Sequence, residues 1–309
     1  TADIALTAKW AGIGTYAKTD PTDYFSGIFD GKGHKISNVV MSNAGTADGA
    51  NNYRGFFNQI DGGAVKNLTI ETTGFGTTGL PSGEYGCAAI AGAAYNATIE
   101  NCVAEGTIAG THNAGGIVVR IRDSKIINCT NKATVTGSYT KVAGVCVLDE
   151  GSATGLIEGC VNEGAVTATG SAKAGQDGVA GIIAYVHDAA LTIKDCENKA
   201  TVAKGATASS AAKIGQIVGF IYKDSAVPAF EGTIKGTTGV RMIGDVNGKT
   251  IDRHLATVSG AVATFVADSA IQNGKSYASM ATGTVMMPSI GLAVTIDDSL
   301  APITVATSA

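Results

Sequence analysis

Four copies of one short pattern, each built around a cysteine, constrain the fold of this chain more than any other feature. They read TIENCVAEGTI to Ile108, IINCTNKATV to Val135, LIEGCVNEGAV to Val166 and TIKDCENKATV to Val202. Each carries an aliphatic residue three before the cysteine (Ile99, Ile126, Ile157, Ile193) and another six after it. Cys102, Cys129, Cys160 and Cys196 stand 27, 31 and 36 residues apart, which suits one solenoid coil per copy with loops of varying length. Two earlier segments, KISNVVM and VKNLTI, share the front half and put Val39 and Leu68 at the cysteine position.

The residue just before that position is Asn38, Asn67, Asn101, Asn128, Gly159 or Asp195. Asn, Gly and Asp are the types that tolerate left-handed backbone, so the column predicts a corner. A bend there lets both the −3 residue and the cysteine point inward, which a flat strand forbids. No segment shows the 3.6-residue period of a helical solenoid. The pattern predicts an all-β chain, a right-handed single-stranded parallel β-helix with three strands per coil. A second block precedes each corner: RGFFNQID, AAIAGAAYN, GGIVVRIRD, AGVCVLD, AGIIAYVHD and GQIVGFIYKD. Each reads as a last strand closed by a turn residue (Asp61, Asn96, Asp123, Asp149, Asp188, Asp224) that bonds its own backbone.

The first three-quarters of the chain resembles the GLUG-type glycine-rich repeats of secreted and surface proteins from gut Bacteroidetes. The resemblance rests on Phe25, Gly27, Phe29 to Gly31, Gly33, His34, Ile36, Gly55 to Phe57 and Lys66 to Ile70. It implies a β-helix in an adhesin-like surface setting. It implies no particular activity, since such repeats also occur beside unrelated catalytic domains. After about residue 230 the pattern fades, and the expected division is a β-helix over 1–230 and a β-rich cap or appended sheet over 231–309. Met286 and Met287 there are expected to pack.

Composition narrows the function classes. The chain has 309 residues, with 42 glycines, 5 prolines and a net charge of −4. That charge supplies no basic footprint for nucleic acid or an anionic membrane. No apolar run reaches the 18 residues of a membrane-spanning helix. The chain opens at Thr1 without a signal segment, and it is expected to be the mature or trimmed form of a secreted or outer-surface protein.

Several constellations invite a chemical reading. The cysteine column has no CxxC and no accompanying histidine, so metal is not expected. In-register side chains poorly meet the torsion of a disulfide, and the column is expected to be a reduced core ladder. His34 belongs to the FDGKGHKI turn, His112 and His254 fall in loop-like stretches, and no HExxH stands in the chain. The recurring aspartates are expected to cap turns, because a feature repeated once per coil marks architecture more than a unique catalytic site. No catalytic residue and no cofactor is expected.

The outer face of the last strand is the part the repeat leaves unexplained. With Ile90, Ile117, Ile182 and Ile217 inward, alternation sends outward Ala91, Ala93 and Tyr95; Val118, Arg120 and Arg122; Ile183, Tyr185 and His187; and Val218, Phe220 and Tyr222. An apolar outer stripe is expected to be covered, either by the C-terminal segment or loop 72–84, or by a ligand. Tyr95, Arg120, Arg122, Tyr185, His187, Phe220 and Tyr222 are the candidate ligand residues, since aromatics stack on sugar rings and Arg grips hydroxyls and carboxylates. The expected partner is a glycan or a host or neighbouring cell surface. The competing class is a polysaccharide-active lyase or hydrolase, which needs carboxylates from non-equivalent positions in one cleft. An ice-binding surface would need regular Thr-x-Thr ladders that these uneven repeats do not form.

Overall fold

The computed structural model of the chain describes residues 2–16, 23–40, 52–76, 85–110, 112–138, 141–170, 178–187, 190–205, 213–222, 228–237, 243–246, 249–250, 282–287, 292–297 and 304–307. The expected architecture is present: short strands stack in register as a parallel β-helix. Each coil, however, visits four sheets where three strands were expected. The first face runs from Ile28–Asp30 through Thr98–Glu100 and Lys125–Ile127 to Ala229–Glu231. The second includes Lys35–Val39, Thr69–Gly76 and Val103–Gly110. The third is built of pieces such as Asn113–Gly115, Lys141–Ala143 and Gly178–Ala180. The fourth holds the anticipated last strands, among them Ala91–Tyr95, Val118–Arg122, Cys146–Glu150 and Ile183–His187. Third-face strands of three or four residues are too short to show a period of their own.

The corner between the first and second faces is where the sequence placed it. Asn67, Asn101, Asn128 and Asp195 have φ between 50° and 54°, and Gly159 has 62°. Asn38 departs from the expectation. It is left-handed (φ 57°) but lies within the second face at a register shift, where Ile36 pairs with Ile70 and Val39 with Thr72. The first coil turns this corner instead through Gly31–His34, with Lys32 and Gly33 left-handed. Val39 is therefore not in the cysteine column. The two segments look alike because a left-handed Asn followed by an apolar residue serves a bulge as well as a corner.

The inward column reads Leu68, Cys102, Cys129, Cys160, Cys196 and Ile234, linked by backbone bonds such as Val103 N–H to Leu68 O (2.9 Å) and Lys235 N–H to Cys196 O (2.9 Å). All six cysteines are buried and free. Each ladder thiol donates to carbonyls of its own and the preceding coil; Cys129 Sγ lies 3.3 Å from Ile127 O and 3.5 Å from Ile99 O. Solenoid pairing continues past residue 230, with Ile243–Val246 adding to the fourth face. Thr282–Met287, Leu292–Asp297 and Thr304–Thr307 form a three-stranded antiparallel sheet, and Met286 and Met287 fall on its first strand. Asp188, Asp224, His254 and residues 77–84 lie outside the described residues.

One structural device was not anticipated. Two residues after Cys129, Cys160 and Cys196, the buried Asn131, Asn162 and Asn198 form an interior ladder. Asn131 Nδ2 donates to Asn162 Oδ1 (2.8 Å), Asn162 Nδ2 to Asn198 Oδ1 (2.7 Å), and Asn198 Nδ2 to Gln216 Oε1. The ladder explains the glycine in three of the fourth-face blocks, where a Cβ on Gly116, Gly144 or Gly181 would collide with the amide of Asn131, Asn162 or Asn198. A Cβ on Gly144 would lie 2.2 Å from Asn162 Oδ1 and 2.4 Å from the carbonyl of Gly181.

Candidate functional site

The fourth face is entered through the glycine corner, and strict alternation fails there. Ile117 and Val118 both lie in the main core, as do Ile90 and Ala91, Ile182 and Ile183, and Ile217 and Val218. Ala91, Val118, Ile183 and Val218 thus face inward, not outward as alternation implied. The reason is the one that operates at the asparagine corner: a bend lets neighbouring residues share a side. Beyond the bend Ile60, Ala94, Ile121, Val186 and Ile221 are inward, and the residues between them face out.

Two outer columns result. One pairs Gln59, Ala93, Arg120, Leu148, Tyr185 and Phe220 across successive coils. The other carries Asp61, Tyr95, Arg122, Glu150, His187 and, by continuation, Tyr222. The first column belongs to a second apolar cluster, in the angle between the third and fourth faces. Tyr53, Ala88 and Ala143 of the third face meet Val119, Val147, Leu148, Ala184, Tyr185 and Phe220 of the fourth. Tyr185 is 2% exposed and Phe220 4%, with their rings stacked at 5.8 Å and 10°. The apolar stripe is therefore covered by the chain itself, though among the described residues not by the C-terminal segment or loop 72–84 that were expected, both of which lie largely outside them. The cover seen among the described residues is the third face together with Tyr16 of the N-terminal segment, whose ring meets Tyr53 edge-on at 4.7 Å. Lys141 Nζ lies 4.2 Å from the centre of the Tyr185 ring.

Arg120 is engaged as well. Its Nη2 lies 2.9 Å from Glu150 Oε2, and Nη1 donates to the Tyr16 hydroxyl at 3.1 Å. The second column stays in reach of solvent. Tyr95, His187 and Tyr222 are half-buried and Arg122 is exposed. Arg122 stands 5.6 Å from the Tyr95 ring centre and donates Nε–H to the Glu150 carbonyl (3.2 Å). His187 and Tyr222 meet edge-to-face at 4.5 Å and 88°. Burial raises the Tyr95 phenol above its ordinary value. Of the seven residues singled out from the sequence, Tyr95, Arg122, His187 and Tyr222 form one accessible strip. Arg120, Tyr185 and Phe220 lie beneath it as support.

The aspartates do not form the single column read from the sequence. The left-handed turn positions are Gly62, Asn96, Asp123 and Gly151. Asp61 sits one residue earlier, opposite Tyr95, and Asp149 two earlier, opposite Ile121 and Val186. The register slips because the turns differ in length, so the last acidic residue of each block is not the equivalent one. Asp123 does not bond its own turn as expected: its Oδ1 accepts from the amides of Ala153 (2.6 Å) and Thr154 (3.0 Å) in the turn of the following coil. Asp149 instead points into the core. His34 holds its turn through Asp3, 3.3 Å from Nδ1.

No protein-family model matches the chain. It is 32% identical over 104 residues to halomucin of Haloquadratum walsbyi, covering 32% of this chain and 1% of that protein. It is 30% identical over 129 residues to the immunoglobulin A1 protease of Streptococcus sanguinis, covering 41% of this chain and 6% of that protein. The chain thus spans only a few per cent of the length of these curated relatives. A crystal structure of a Bacteroides ovatus protein provisionally named an immunoglobulin A1 protease superposes with a TM-score of 0.51 at 21% identity, over 85% of this chain and 77% of that one. That likeness is one of fold. No helix among the described residues is long and apolar enough to cross a membrane.

Proposed function

We propose that the chain is a β-helix module of a secreted or cell-surface protein, with a structural or adhesive role, and that its outer strip binds glycan or a neighbouring surface. The observation that carries this reading is the strip itself: Tyr95, Arg122, His187 and Tyr222 in one accessible column, packed against a buried apolar cluster. Aromatic edges and a guanidinium, spaced about 4.8 Å per coil, suit a ligand lying along the solenoid axis. The repeat resemblance supports the surface setting. The great length of the halomucin and the protease relative to the matching segment supports a module within large proteins.

The enzyme reading draws less support. Asp61 and Glu150, the acidic members of the strip, are three coils apart, about 14 Å by strand spacing. That exceeds the roughly 5–9.5 Å between the carboxyls of a glycosidase pair, and Glu150 already holds Arg120. A glycan-array screen of the intact protein beside a Tyr95→Ala/Tyr222→Ala variant tests the binding reading. Each lost ring contact of about 1.4 kcal/mol weakens binding about tenfold. Equal binding by both proteins would remove the strip from consideration. Absence of binding by either would favour a purely structural role.

A further inference from the structure

The core column of the fourth face reads Ile60, Ala94, Ile121, Asp149, Val186 and Ile221, so a carboxylate stands where every neighbour is apolar. Asp149 is 0% exposed. Its Oδ1 accepts from the Ser152 hydroxyl, and its buried Oδ2 has no hydrogen-bond partner among the described residues. Oδ2 lies so near Gly155 that a Cβ there would come within 2.8 Å. The turn that follows is stapled to both adjacent coils. Ser152 Oγ accepts from Asp123 N–H (2.9 Å), Asp123 Oδ1 holds the amides of Ala153 and Thr154, and Gly151 N–H donates to His187 O (3.0 Å). Glu150, at the start of this turn, carries the bonds to Arg120 and Arg122 of the outer face.

We propose that residues 149–154 are a proton-operated latch: neutral Asp149 closes the turn and holds Glu150 against the two arginines, and ionised Asp149 releases them. The chemistry follows from burial. An ionised carboxylate with one unpaired oxygen in an apolar column is strongly disfavoured, and its way to water is to pull away from the core with the turn it anchors. The charged and titratable groups around it are Asp123 on the preceding coil, Glu150 and Arg122 at the surface, and the Cys146 thiol on its own strand; Asp188 on the following coil lies outside the described residues. Two of these are acidic and oppose ionisation. The hydrogen bond from the Ser152 hydroxyl and, more weakly, Arg122 favour it, and burial outweighs both.

Burial pushes the Asp149 carboxyl up to about 7 from 3.8. The closed turn therefore binds the proton more tightly than the open one. Closure is fully favoured below about pH 4, weakens as pH rises toward 7, and changes no further above that. The effect on a ligand rests on the binding reading above, but the latch does not, and its test uses no ligand. Hydrogen exchange of the whole chain, corrected for intrinsic rates and read by mass spectrometry, should show protection of residues 150–154 falling at least about tenfold between pH 4.5 and 7.5. Residues 126–129 on the preceding coil should hold constant, and Asp149→Asn should flatten the profile. A flat profile in the unmodified chain, or a parallel fall at 126–129, would overturn the latch. Should Asp149→Asn fail to fold, the carboxyl carbon resonance of Asp149 in the unmodified protein decides: titration near 7 supports the proposal, and near 4 refutes it.

Discussion

At the scale of single residues, the interior asparagines show how a polar side chain earns a place in an apolar solenoid. Asn162 receives a hydrogen bond from Asn131 Nδ2 and gives two, to Asn198 Oδ1 (2.7 Å) and the Gly164 carbonyl (3.0 Å). A buried amide so satisfied is stable, and removing it strands its neighbours. Asn162→Ala is expected to cost about 2–4 kcal/mol, seen as a lower urea midpoint. Asn162→Asp separates this account from simple loss of volume. An ionised Asp presents an acceptor to two acceptors, whereas the protonated acid can still donate one of the lost bonds. The buried acid is held above its usual pKa, so folded chains take up a proton that unfolded ones release. The deficit relative to the unmodified protein should therefore be larger at pH 7.5 than at pH 4.5. A deficit equal at both pH values would mean that the Asp reaches water and that the ladder is not closed.

At the scale of strands and corners, the cysteine ladder makes a direct prediction. The thiols donate to carbonyls within the coil stack, and burial alone pushes Cys87 up to about 12. A thiolate-specific reagent at pH 8 should find no fast-reacting cysteine in the native protein and all six after denaturation without reductant. Fewer than six would show that the column tolerates a disulfide after all. Corners and ladders of this kind are legible in sequence because each restricts residue type for a reason that acts locally. A left-handed φ admits few side chains, and an inward slot between coils admits a small apolar one. The third face escaped because its strands are only three or four residues long. The asparagine ladder escaped because its satisfaction comes from the next coil, 31 or 36 residues away. The candidate strip was half legible. Its aromatic and basic residues stood out, but the bend at the glycine corner decides which of them are buried, and alternation alone carries no record of that bend.

At the scale of the whole molecule, a solenoid is stabilised coil on coil, so its ends should open before its middle. The N-terminal end is closed by the chain's own first residues. Trp10 stacks on Phe56 at 4.6 Å and 9° and donates its indole N–H to the Phe56 carbonyl (3.0 Å). Ile13 bridges to Phe57, and Asn58 Nδ2 fastens the segment through Ala11 O (3.1 Å) and Gly14 O (2.9 Å). These contacts cover the aromatic group of Phe25, Phe56 and Phe57, which would otherwise face water at the end of the core. Trp10 is the sole tryptophan of the chain, so its emission reports this end alone while far-ultraviolet circular dichroism reports the stack. In urea the emission transition should come at lower denaturant than the dichroism transition. Phe56→Ala, which removes the stacking partner, should move the emission transition further than the other. Coincident transitions in both proteins would show that the end is held as firmly as the middle and that the coils unfold as one cooperative unit.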